Sequence, residues 1–147
     1  MRFRYNDGGR AKYFKGKNAG DCVTRAIAIA TGKDYKDVYN AMAEGMAKLG
    51  KRKSARNGVS KKVYHQYLLA NGFTWIAKTK IGEGCTTHLH KDELPQNDII
   101  IARLSRHLCC IVNGVINDVF DPRRGGNGNI PETRCVYGYY VRETEDD

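Results

Sequence analysis

No stretch of this chain approaches 18 consecutive apolar residues, so no membrane-spanning helix is expected. The first residues, Met1-Arg2-Phe3-Arg4-Tyr5-Asn6-Asp7, lack an apolar h-region, so no secretory leader is expected either. No internal repeat and no low-complexity segment occurs. Acids are the scarce charge: 16 Asp and Glu stand against 25 Lys and Arg, a formal net charge of +9. Such an excess attracts polyanions and raises a nucleic-acid hypothesis. It is concentrated in Lys48-Leu-Gly-Lys51-Arg52-Lys53-Ser-Ala-Arg56, with Lys61 and Lys62 just beyond. A run of this kind is more often a solvated loop than a binding site, so nucleic acid is not the favoured partner.

The 147 residues are 41% hydrophobic and 28% charged, enough to bury a core as one domain spanning 1–147. The tail Glu143-Thr-Glu145-Asp146-Asp147 is expected to fray. The five cysteines, at 22, 85, 109, 110 and 135, are odd in number. They are read as free thiols of a reducing cytoplasm. Cys109 and Cys110 read as small core hydrophobes.

Residues 5–20, rich in Gly, Asn, Asp and Lys, read as an ordered loop or short strand. Cys22 to Ala30 is apolar nearly all round, with Asp21 as a plausible N-cap and Thr31-Gly32 as a stop. An all-round apolar helix is a buried one. Asp34 to Leu49 reads as a second helix, with Tyr35, Val38, Tyr39, Met42 and Met46 facing the core. A basic loop over 50–58 follows, and Ser60 caps a third helix over 61–71. Phe73 to Lys80 reads as a strand and 81–97 as mostly loop. Four further strands are expected at Ile99–Leu104, His107–Val112, Val115–Phe120 and Cys135–Arg142. Asn113-Gly114 is a strong signal for a type I′ hairpin turn. Helices followed by antiparallel strands describe an α+β domain.

Cys22 sits at the first turn of the buried helix, where free backbone N–H groups and the macrodipole favour a thiolate. His107, at the start of a later strand, is the candidate base, and the returning strand carries acids. In a flat two-residue hairpin Val112 faces Val115 and His107 faces Phe120, which makes Asp118 a diagonal neighbour of the imidazole. Asp121 has the opposite parity but precedes Pro122, where a bulge could re-aim it.

Two blocks carry a resemblance. Gly20-Asp21-Cys22 opens a helix, and Arg106-His107-Leu-Cys-Cys-Ile-Val-Asn-Gly-Val-Ile-Asn-Asp118-Val-Phe-Asp121-Pro122 follows much later. Together they resemble the papain-like cysteine peptidases, nearest in flavour to bacteriocin-processing peptidases and small phage and bacterial relatives. The resemblance implies a papain-like fold, with the nucleophile helix packed on a C-terminal antiparallel sheet. It makes Cys22 the nucleophile, His107 the base and Asp121 the residue orienting the imidazole, whereas the turn argument favours Asp118. The family places an oxyanion-donating Gln six residues before its Cys, where this chain has Gly16. Asn18 is the substitute donor, beside the Cys22 backbone N–H.

The implied activity is thiol-dependent hydrolysis of a peptide or isopeptide bond in a peptide or protein substrate, without a cofactor. Acyl transfer and deamidation use the same machinery. The implied location is the cytoplasm of a bacterial or phage-infected cell, or a virion. The rival readings are a non-catalytic basic module and a phage structural or host-takeover protein on a degenerate peptidase fold. Asp21, Arg25, Cys85 and His88 are expected along the substrate cleft, although Arg25 could instead pair with a buried acid. Cys85, His88 and His90 resemble zinc ligands but lack a fourth at recognisable spacing, so no metal is expected.

Overall fold

In the computed structural model, which describes residues 1–15, 20–80, 82–125 and 134–142, the helices fall where the apolar periodicity puts them. α1 spans Cys22–Thr31, α2 Tyr35–Lys48 and α3 Lys61–Ala70. Seven of the residues of α1 are buried between Val23 and Ala30, Thr24 and Arg25 among them, as a helix apolar nearly all round requires. α2 turns Tyr35, Val38, Met42 and Ala43 inward, the repeat expected of one helical face.

Six strands form one sheet: β1 Arg2–Tyr5, β2 Phe73–Ala77, β3 Ile99–Leu104, β4 His107–Val112, β5 Val115–Asp118 and β6 Gly138–Arg142. Their spatial order is β1-β5-β4-β3-β6-β2. The fold class is therefore α+β, as expected, but the sheet is mixed rather than purely antiparallel. β1 runs parallel to β5, with Phe3 opposite Ile116. The reason is topological: a segment from the start of the chain docks beside a strand from its last third.

The helices cover one face of the sheet, with Ile27, Val38, Met42 and Leu68 packing against Ile101, Leu108, Cys110 and Tyr140. The other face is closed by irregular chain. Leu89 and Leu94 pack there with Ile100, Cys109, Ile111 and Ile116. Asn113 and Gly114, at φ 48° and 78°, form the two-residue turn between β4 and β5. That turn pairs Val112 with Val115 and Cys110 with Asn117, the register the sequence implies.

The five cysteines do not all remain thiols. Cys85 and Cys135 form a disulfide, their Cα atoms 5.8 Å apart, and Cys22, Cys109 and Cys110 are free. The antiparallel bridge between His88 and Cys135 brings the two stretches together, a contact between distant segments that no local pattern announces. The cysteine argument for a reducing compartment therefore lapses. No helix among the described residues is long and apolar enough to cross a membrane.

Candidate active site

Cys22 is the first residue of α1, so its own N–H has no acceptor within the helix. Burial pushes its thiol up. The hydrogen bond to His107, the charge of that imidazole, the Leu108 backbone N–H and the Arg25 guanidinium outweigh burial. The net shift is downward, toward thiolate.

His107 is brought to this sulfur by the docking of α1 on β4, which it opens. Its Nε2 lies 2.6 Å from Asp118 Oδ2, so Nδ1 is the ring nitrogen left to face Cys22. The other carboxylate oxygen of Asp118 accepts the Val119 N–H at 2.7 Å. The ring also packs on Phe120, with centroids 5.1 Å apart. Burial disfavours the imidazolium, but hydrogen bonds to Asp118 and Cys22 and their negative charges prevail. The His107 pKa is raised to about 9. A lowered thiol beside a raised imidazole is the electrostatic signature of a thiolate–imidazolium pair.

Asp121 does not take this place. Strand β5 ends at Asp118, and the chain then turns into a 3-10 segment at Pro122–Gly125. Asp121 there accepts from Arg123, 2.9 Å from its Nε and 2.7 Å from its Nη2. Arg123 in turn donates to the Met1 carbonyl.

Asp21 and Arg25 are not cleft residues either. Asp21 is 1% exposed and makes no side-chain capping bond to α1. Its carboxylate pairs with Arg25, accepts the Tyr35 hydroxyl at 2.5 Å and lies 3.2 Å from Arg10 Nε. Arg25, 6% exposed, reaches Asp118 Oδ1 at 3.6 Å with its second nitrogen. A buried carboxylate needs such partners more than a helix end needs a cap. The result is an alternating row, Arg10–Asp21–Arg25–Asp118, running beneath the imidazole. Arg10 and Tyr35 carry no sequence signal for this role. The i,i+4 acid–base pair on an apolar helix is the signal for the rest.

The sulfur and imidazole open into a cleft of about 480 Å³. Val23, Gly58, Val59, Tyr64, Arg103, Ser105, Arg106 and Tyr137 contribute to its walls. Cys85 and His88 are not among them. Cys85 is disulfide-bonded, and His88 pairs with Glu93 at 3.2 Å. Asn18, the expected oxyanion donor, lies outside the described residues. Among the described residues, no three His, Cys, Asp or Glu side chains converge as a metal site.

No family model matches this chain, and neither a curated protein nor a solved structure does. The chemical reading rests on the residues themselves. A thiol whose ionisation is favoured, an imidazole that holds its proton and a carboxylate that fixes the imidazole suit attack on a carbonyl and protonation of its leaving group. Cys109 and Cys110 have no such capacity, since burial pushes both thiols up.

Proposed function

We propose that the protein is a thiol-dependent hydrolase of papain-like type, cleaving a peptide or isopeptide bond. The observation that carries this reading is that Cys22 and His107 line one open cleft together, with Asp118 buried behind the imidazole and hydrogen-bonded to it at 2.6 Å. The Cys22 thiolate attacks the substrate carbonyl carbon, forming a C–S bond and moving an electron pair onto oxygen. The Cys22 N–H at the start of α1, which has no acceptor within the helix, stabilises that oxyanion. Collapse expels the amine, which takes the proton from His107. A thioester remains. His107 then deprotonates a water that attacks the thioester, releasing the acid and returning the thiol proton to the pair.

The test is covalent capture. Wild-type protein should be labelled at Cys22 by a thiol-reactive acyl probe, and Cys22→Ala should not be labelled. Labelling of Cys22→Ala at the wild-type rate overturns the proposal. Transfer to an amine in place of water, or attack on a Gln side chain, uses the same steps, and product analysis separates them.

A further inference from the structure

The cleft walls carry charge of one sign. Arg103, from β3, and Arg106, from the turn between β3 and β4, line the cleft together with Cys22 and His107. Among the described residues that line it there is no carboxylate, and neither arginine is ion-paired. The Tyr64 hydroxyl feels the charges of both Cys22 and Arg103, so that arginine acts within electrostatic range of the nucleophile's surroundings.

Arg106 is held in an unusual way. Its φ is 55°, in the left-handed region where glycine or asparagine is preferred. Leu104 pairs with His107 across the turn, and Arg134 donates to the Ser105 carbonyl at 2.9 Å. A long cation thus occupies a position better suited to glycine, directly before the proposed base. Lys51, Arg52, Lys53 and Arg56 are exposed on the segment that precedes Gly58 and Val59 of the cleft wall in the chain.

We propose that this cleft is built for acyl substrates bearing a carboxylate next to the scissile bond, with Arg103 and Arg106 as its recognition pair. The proposal rests on Cys22 being the reactive thiolate. The carboxylate is an acidic side chain or the end of a chain. Guanidinium groups suit either, because they present paired donors to carboxylate oxygens.

The test uses the full-length protein at low salt and pH 7, with iodoacetate and iodoacetamide as probes of equal size and different charge. The rate with neutral iodoacetamide reports the thiolate. The iodoacetate-to-iodoacetamide ratio, relative to that of a small free thiol, reports the arginines. Arg103→Gln and Arg106→Gln should each lower that ratio by roughly three- to tenfold, since any change in thiolate reactivity is common to both probes and cancels in the ratio. Arg103→Lys should retain it. Lys48→Gln combined with Lys62→Gln, in the groove between α2 and α3, removes twice the charge of either arginine variant elsewhere and should leave it unchanged.

Fast iodoacetamide labelling with a ratio insensitive to both arginines overturns the subsite and leaves the hydrolase reading standing. Slow iodoacetamide labelling of wild type overturns the hydrolase reading itself. Oligoglutamate and short peptides ending in a free carboxylate, used as protectants, distinguish the two carboxylate sources, and protection by either supports the subsite. Protection by oligothymidylate that equals or exceeds both overturns it in favour of a nucleic-acid surface.

Discussion

Asp118 and Asp121 lie on the same short stretch of chain, yet one holds an imidazole and the other a guanidinium. Strand parity separates them. The side chain diagonal to His107 across a tight hairpin belongs to Asp118, and β5 ends before Asp121. The resemblance to peptidases that carry an Asp-Pro pointed the other way, so here the geometry of a two-residue turn was the better guide. Asp118→Asn should cut hydrolysis of an activated ester by about 10²-fold or more, while Asp121→Asn leaves it near wild type. The pH profile sharpens the distinction. The working form needs the proton on His107, so activity should fall as pH rises through about 9. Removing the Asp118 charge takes away a force that holds that proton, so the falling limb should move to lower pH in Asp118→Asn. A limb that stays in place would remove Asp118 from the arrangement.

At the scale of elements, the three helices and the β3–β4–β5 meander were legible because each obeys a local rule. Apolar spacing marks α1 and α2, and Asn113-Gly114 fixes a turn and therefore a register. β1 was not legible. Its four residues alternate charged and aromatic, and its partner β5 lies near the other end of the sequence. Nothing in Arg-Phe-Arg-Tyr names that parallel neighbour. The roof over the second sheet face was hidden for the same reason, since Leu89 and Leu94 sit in irregular chain without a period. The site was half legible. Cys22 and His107 stand at element starts, whereas Arg103 and Arg106 become cleft residues only once β3 lies beside α1.

One close approach gives an element-scale test. A Cβ on Gly138 would stand 2.5 Å from the Trp75 ring and 2.6 Å from the Ile76 carbonyl oxygen. Strands β6 and β2 thus pack through an absent side chain. Gly138→Ala should lower unfolding stability by about 1–3 kcal/mol in urea titration, and an unchanged midpoint would refute that packing.

For the whole molecule, the Cys85–Cys135 link closes a long loop, with a sequence separation of 50. It anchors the segment that roofs one sheet face to the approach to β6, on residues outside the cleft. Reduction should therefore lower stability by about 2–4 kcal/mol, read from denaturant midpoints with and without reductant. Cys22 should keep its alkylation rate in the absence of denaturant, because neither cysteine of the link lines the cleft. Loss of Cys22 reactivity on reduction would show instead that the roof and the reacting sulfur are coupled.

The proposed nucleophile rides on α1, while the base and acid proposed for it arrive on strands from the last third of the chain. During synthesis the ribosome therefore releases the sulfur long before anything exists to activate it. On the proposed mechanism a nascent chain carries an ordinary, sluggish thiol past its neighbours, and reactivity switches on only when the hairpin closes against α1. Cys22 alkylation could thus serve as a stopwatch for the final docking event, and a truncation ending before the hairpin should be chemically quiet.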